Sequence, residues 1–586
     1  MVRIETSTLT VQIRAEMSKR KITGDEYNSS LCATEIKKSS NDAAATRMSI
    51  NSRYYENNFR KTLSHSYRNR QSFVDDITGA TLYNQPFQCC CLPNFLSDTK
   101  AVHSLRNQLR KVKFFKKSND LYSLNQSADL KGSPLPAIQS FRELLLDDVL
   151  PWLRDLTEIP LDDTLDITCS KYEYGDVLLC HDDELERRRI AFIYYLVPEW
   201  SSEDGGTLDL FSIDDNGDPD TVVKSLVPQW NNFVFFEVNT ISFHQVSEVI
   251  SKSKKRLSIN GWFHGPNIDR PKLHKIPIPL ISETETLTSL SDWINPVYLN
   301  IETQLQIRKQ FEENSEIQLI DFLLNDKFNA VCFELRNHAN SAWSRIGPAN
   351  KCSTDISKIS SLPVSARDCF DLFNSIKFYT FIATLTGLNI GGCKPLFSTE
   401  TDESDSDTLQ TDTSSNYSED PDVLNNYNVE IDKGSGQLMF QEAPCTSNDL
   451  LSLPLDCKQM ADTIDPDNSD SIHTRQCCCG NFRRWKHKYY TLIRDSDPEM
   501  TEFGLDTVIF FCSASWKPEC GGSTAYIAKG EDDELLTIQP TDNTLSIVYR
   551  DTETIKFVKY INHRLLALNP DSKCPHFYDL AMTYYE

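Results

Sequence analysis

Glycine is scarce, 20 residues in 586, which excludes collagen-like repeats and glycine-rich low-complexity architecture. Long apolar runs are missing too: none approaches the roughly 18–20 residues that a membrane span requires. The opening Met1-Val2-Arg3-Ile4-Glu5-Thr6 lacks the apolar stretch of a secretory signal, so export is not expected. Cysteine occurs 18 times but never as a Cys-x-x-Cys pair. In Cys89-Cys90-Cys91 and Cys477-Cys478-Cys479, adjacent residues cannot all face one metal, so reduced thiols in a cytosolic or nuclear protein are expected. Lysine and arginine are absent from Ser398–Asp432, which carries 11 acidic residues among many Ser and Thr. Such a segment cannot bury enough apolar surface to offset its ordering entropy, and a disordered acidic insert is expected at 398–435.

What is present is the composition of an ordinary soluble chain, too long for one hydrophobic core. The formal charge of −24 is uneven. Arg3 to Arg70 holds 13 Lys/Arg against 7 Asp/Glu, leaving about −30 for the remainder. Residues 1–80 are rich in Ser, Thr, Asn and Arg without an apolar period, and a disordered basic segment is expected there. Order is expected to begin near Phe87, with helices at about 98–111 and 138–155. From Leu165 short β-branched and aromatic strands alternate with polar turns: Ile190–Val197, Thr207–Phe211, Asn232–Val238 and Arg256–Phe263. That series predicts an antiparallel sandwich or barrel domain over 81–267. A proline-bearing linker is placed at 268–290. A second domain follows over 291–586, helical from about 301 to 388 and stranded again over Tyr489–His563. Trp200 precedes Gly205-Gly206 by five residues and Trp516 precedes Gly521-Gly522 by five, so the second domain reads as a copy of the first. The fold class is therefore α+β, mainly β.

Within the first copy, His181-Asp182-Asp183 is a His-x-Asp. His244 follows 61 residues after Asp183, and Arg256 stands 12 beyond His244. Residues two apart on an extended segment project to one side. Two imidazoles and one carboxylate can occupy one face of an octahedral Fe(II), leaving positions for a chelating 2-oxo acid and O₂. Such a co-substrate needs a fixed cation at its far carboxylate. Arginine suits this because its guanidinium pairs bidentately and stays protonated. Arg256, Ser258 and Asn260 share one strand face. Either Tyr194 or Tyr195 could add a hydrogen bond, not both, because they face opposite ways. His264, at the strand exit, and Asp182, between the two ligands, receive no role.

The segments Cys169–Tyr172, Cys180–Glu186, Ser242–Val249 and Arg256–Pro266 closely resemble the ribosomal prolyl 3-hydroxylases. These are Fe(II)- and 2-oxoglutarate-dependent oxygenases related to the yeast termination-and-polyadenylation factor. The resemblance runs from about Phe87 to Glu586. It implies His181, Asp183 and His244 as iron ligands, Arg256 as the anchor of 2-oxoglutarate, and Tyr195 rather than Tyr194 as its helper. It also implies two double-stranded β-helix (jelly-roll) domains and ascorbate as a reductant. The implied substrate is a proline of a small ribosomal subunit protein at the decoding centre, hydroxylated at C3 with effects on translation and termination. The implied location is cytoplasm and nucleus, with no membrane. In the second copy, Arg494 aligns with His181, Ser496 with Asp183 and Val558 with His244, a set that cannot hold Fe(II), so a non-catalytic domain is expected. The competing reading is a non-enzymatic scaffold binding translation-termination or mRNA-tail factors.

Overall fold

The computed structural model describes residues 47–185, 187–269, 280–282, 288–390, 476–493, 503–514, 516–531, 533–569 and 575–585. It also describes 393, 395–396 and the backbone of 429–431 and 437–440. The first half contributes β1 (Phe73–Val74), β2 (Thr81–Tyr83), β3 (Cys89–Leu92), β4 (Phe114–Ser118), β5 (Tyr122–Ser127), β6 (Leu165–Tyr172) and β7 (Val177–His181). It continues with β8 (Arg188–Tyr195), β9 (Leu208–Ile213), β10 (Pro219–Leu226), β11 (Asn232–Glu237), β12 (His244–Val246) and β13 (Arg256–His264). These join one antiparallel sheet in the order β1-β2-β3-β11-β8-β13-β6-β5-β7-β12-β9-β10, with β4 paired to β5. The crossings bring β7, β12, β8 and β13, far apart in sequence, around one cavity.

Helices Thr99–Leu109, Pro136–Leu144 and Leu150–Thr157 cover one face of this sheet. Phe141, Leu145 and Trp152 form a core there with Ile167, Phe192 and Phe233. The expected helix 138–155 is interrupted by a wide turn at Leu145–Val149, just before Pro151. Proline lacks the N–H that would continue the regular ladder.

The expectation of disorder through residue 80 is corrected for 47–80, while 1–46 lie outside the described residues. Met48, Ile50, Tyr54, Phe59, Leu63 and Tyr67 are buried in the same core. Phe59, Leu63 and Tyr67 recur every four residues on the helix Asn57–Arg68, and Arg53 pairs with Asp75 at 2.8 Å. An apolar stripe only one residue wide was diluted below notice by its polar neighbours.

The second half contributes β14 (Ile281–Ser282), β15 (Glu316–Leu319), β16 (Trp343–Ile346), β17 (Cys352–Ser357), β18 (Val429–Ile431), β19 (Gln437–Phe440), β20 (Gln476–Lys486) and β21 (Tyr490–Thr491). After these come β22 (Gly504–Phe511), β23 (Thr524–Ala528), β24 (Glu534–Ile538), β25 (Leu545–Arg550), β26 (Thr554–Val558) and β27 (His576–Tyr584). Most join a second, largely antiparallel sheet, and β24-β23-β26 form a small third one. The stretch 301–388, expected to be helical, is corrected: β15, β16 and β17 interrupt its helices. The acidic insert expected at 398–435 lies outside the described residues except for 429–431. In the linker, Ile281–Ser282 pairs with β20, while 270–279 and 283–287 lie outside the described residues.

The neighbour relations repeat. β15-β25-β22-β27-β20-β17 follows the order β3-β11-β8-β13-β6-β5, and β24-β23-β26 follows β10-β9-β12. Local devices repeat as well. Asn231 and Asn543 both adopt a left-handed backbone and bridge the backbone of Leu96 and Leu323 respectively. Trp200 and Trp516 each donate an indole N–H, at 2.7 Å, to the carbonyl of Gly205 and Gly521. The molecule is thus mainly β with helices, built on large antiparallel sheets. Among the described residues no helix is long and apolar enough to cross a membrane.

Candidate metal centre

His181 ends β7 and His244 opens β12, directly opposite each other in the antiparallel register. Asp183 lies just past the strand end with φ +62°. A left-handed turn, rather than the pleat of an extended segment, therefore swings its carboxylate back to the histidines, a conformation aspartate adopts more readily than most residues. Asp183 Oδ1 lies 3.3 Å from His181 Nε2, and Oδ2 lies 3.3 Å from His244 Nε2. The three ligand atoms all lie within 4.8 Å of one another.

The Nδ1 atoms face backbone carbonyls, Leu179 O at 2.7 Å and Ser242 O at 2.8 Å. That arrangement fixes the rings with Nε2 toward the centre, as metal-binding imidazoles require. Burial pushes the Asp183 carboxyl up, but the charges and hydrogen bonds of both imidazoles outweigh it and hold it well below the usual carboxylate range. Burial alone would lower the His181 imidazole, and the neighbouring Asp183 carboxylate raises it instead. Two nitrogens and one carboxylate oxygen converging on a point suit a divalent iron-type ion with open positions.

The same cavity, about 500 Å³, is lined by all three residues and by Arg256. Arg256 is 1 % exposed. Its Nε donates to Gly206 O at 2.8 Å, Nη2 lies 3.3 Å from Tyr195 Oη and Nη1 3.4 Å from Ser258 Oγ. The rings of Tyr172 and Tyr195 each lie 5.0 Å from the guanidinium. Among the described residues no carboxylate pairs with it. A buried cation without a counter-charge is costly, and this one faces a cavity that an anion could enter. Gly206, at φ +64°, permits the packing: a β-carbon there would stand 3.0 Å from Arg256 Cδ.

Tyr195 faces Arg256, and burial pushes its phenol up to about 12, so it remains a neutral donor. Tyr194 points the other way and donates to Asn231 Oδ1 at 2.7 Å. Asp182 accepts the Glu184 N–H in a local turn, and His264 Nε2 lies 3.0 Å from Asp166. Two cavity residues escaped the sequence reading. The Arg188 guanidinium lies 3.6 Å from the centre of the Trp262 ring, and Arg188 Nε and Trp262 Nε1 are buried with no hydrogen-bond partner among the described residues. Strand parity held the signal for Trp262, which continues the Arg256, Ser258, Asn260 face. Arg188, inside a charged run, gave none.

The second copy requires a correction. His244 pairs with Leu210 and Val246 with Leu208. The corresponding pairs are Lys556 with Tyr526 and Val558 with Thr524. Lys556, not Val558, therefore holds the place of the third ligand: it follows Asn543 at the same distance as His244 follows Asn231, and placing Val558 there would need two extra residues that the strand pairing does not contain. Arg494 and Ser496 lie outside the described residues. Lys556 Nζ donates to Asp506 Oδ1 at 2.7 Å, and Arg550 Nε to Asp506 Oδ2 at 3.1 Å. By the same registers Phe577 takes the place of Arg256 and Phe510 that of Tyr195. Ion pairs and aromatic rings thus occupy the positions that form the cavity in the first copy.

Residues 167–264 match the family model of the 2OG-Fe(II) oxygenase superfamily. Residues 285–401 and 467–585 match that of the oxoglutarate and iron-dependent oxygenase degradation C-term. The chain is 41% identical over 506 residues to prolyl 3-hydroxylase OGFOD1 of Xenopus laevis, covering 86% of this chain and 88% of the relative. It is 38% identical over 538 residues to prolyl 3-hydroxylase OGFOD1 of Mus musculus, covering 90% and 94%. The crystal structure of a prolyl-4-hydroxylase from Pseudomonas putida aligns with a TM-score of 0.27 and 19% identity, over 30% of this chain and 93% of that one.

Proposed function

Since the chain belongs to the prolyl 3-hydroxylase family of Fe(II)- and 2-oxoglutarate-dependent oxygenases, we propose that His181, Asp183 and His244 bind the iron and that Arg256 with Tyr195 anchors the 2-oxoglutarate. The observation that carries this reading is a buried guanidinium with no carboxylate partner among the described residues, facing the cavity on which two imidazoles and a carboxylate converge. When bound, iron and 2-oxoglutarate with O₂ supply the oxidation of a C–H bond, giving succinate, CO₂ and the hydroxylated residue. The chain supplies position. Leu179 O and Ser242 O hold the imidazoles, Asp183 balances the metal's charge, and the ring-lined pocket excludes water around Arg256. The side chains of Arg188 and Trp262 line the cavity that an entering prolyl peptide would meet.

The acceptor in this reading is a proline of a small ribosomal subunit protein at the decoding centre, hydroxylated at C3, in cytoplasm and nucleus with ascorbate as reductant. The strongly acidic chain suits a basic partner of that kind. The repeated strand order supports two double-stranded β-helix domains, at 48–267 and 291–586. The ion-filled interior of the second supports a scaffold role there, open to translation-termination or mRNA-associated factors. His181→Ala or Asp183→Ala should abolish succinate formation without loss of fold. Treating small-subunit proteins with the parent chain should add about 16 Da, one oxygen atom, to a single prolyl peptide. Normal succinate production by both variants would refute the ligand assignment.

A further inference from the structure

All three candidate ligands lie on or beside β7 and β12, and the outer side of these strands is packed against the second half of the chain. Leu179, whose carbonyl holds the His181 ring, buries its side chain with Val177, Tyr490 and Leu492. Tyr490 belongs to β21, and Leu492 is fixed in turn by its N–H to Lys351 O at 2.7 Å. Phe243 sits between His244 and Ser242, the residue whose carbonyl holds the His244 ring. It is buried with Cys180 and Phe211, and Ala349 packs against them.

Four residues past His244, Glu248 is 4 % exposed. It accepts from His487 Nε2 at 2.8 Å, Tyr560 Oη at 3.3 Å and the His563 backbone N–H at 2.6 Å. All three donors come from the second half.

We infer that the second half is a brace that orients both iron-binding imidazoles, acting through Leu492 on Leu179 and through Glu248 on the His244 strand. This rests on the ligand reading above. A strand end bearing a ligand keeps its register only if something holds its far side, and here that support is the filled second copy. Groups that orient a metal ligand without touching the metal change metal affinity by about 10–100-fold when lost. Glu248 is suited to the task because three donors converge on its two oxygens. An amide in its place would set an N–H against one of them.

The test is a titration of the full-length chain with Mn(II), read by loss of the free-ion electron paramagnetic resonance signal, so no turnover is needed. Leu492→Ala and Glu248→Gln are expected to weaken Mn(II) binding by about tenfold or more, and Leu492→Met to restore it to within about twofold. Circular dichroism and melting temperature report folding separately. Should Leu492→Ala fail to fold, the nearly isosteric Glu248→Gln carries the test. Mn(II) affinity equal to the parent's in folded variants, with only the melting temperature lowered, would overturn the brace and leave the ligand reading standing. Absence of Mn(II) binding by the parent chain would remove both.

Discussion

Arg256 illustrates how a residue's role follows from what it lacks. Its guanidinium is enclosed by two tyrosine rings, a hydroxyl and a carbonyl, all neutral. Replacing it with lysine would keep the charge and lose the planar fork. A charge-assisted hydrogen bond contributes about 1.5–3 kcal/mol, so Arg256→Lys should raise the KM for 2-oxoglutarate by about 10–100-fold. Tyr195→Phe removes a single hydrogen bond from an uncharged donor, where the guanidinium fork supplies more than one, and should raise it only about fivefold; Tyr194→Phe should leave it unchanged. Initial rates of succinate formation against 2-oxoglutarate concentration decide between them. This part of the site was legible in the sequence because strand parity and spacing carry direct geometric meaning. The structure does bring Asp183 to the two imidazoles, but by a left-handed turn and not by the pleat that the sequence reading relied on.

Elements were less legible than residues. The helix Asn57–Arg68 carries one buried apolar residue per turn, too thin a stripe to register against Ser, Asn and Arg neighbours. Phe59, 2 % exposed, tests it. Phe59→Ala should lower the free energy of unfolding by about 3–5 kcal/mol in a denaturant titration, the cost of a core cavity. A disordered segment would show almost no change. The strands at 316–319, 343–346 and 352–357 were hidden because each is short and lies between strong helices. Val558 was set in the place of the third ligand because sequence alignment does not see strand pairing, which puts Lys556 there.

Burial raises the Asp506 carboxyl, yet Lys556 and Arg550 bring it down to about 2. A lowered folded value contributes stability that is present above the unfolded value near 4 and lost as pH falls toward 2. That contribution is about 2 kcal/mol. Asp506→Asn should flatten the fall in stability between about pH 4 and 2. At neutral pH it should cost about 3–5 kcal/mol, because the buried Arg550 and the half-buried Lys556 lose the carboxylate they pair with. Urea midpoints across that range give both quantities.

At the scale of the whole molecule, charge and duplication act together. A chain with net charge −24 attracts basic proteins from a distance, and salt screens that attraction over about 10 Å at 0.1 M. The KM for a basic protein substrate should therefore rise with ionic strength while kcat stays constant, which steady-state assays at several salt concentrations would show. The repeat in strand order was legible from two tryptophan–glycine–glycine landmarks, but the difference between the two interiors was not, because it depends on pairing register.

The two interiors also differ in what completes them. In the second copy, Asp506 is satisfied by Lys556, Arg550 and Thr583 from within the chain. In the first, the matching region keeps its cavity and the guanidinium of Arg256, which pairs with no carboxylate among the described residues. One half is finished by its own side chains and, under the proposed function, the other by small diffusing molecules, so their amide protons should exchange with solvent deuterium on different terms. Adding Mn(II) and 2-oxoglutarate should slow exchange along β7 and β12 while leaving β26 at its former rate, making one half of the protein a reporter of supply and the other its internal standard.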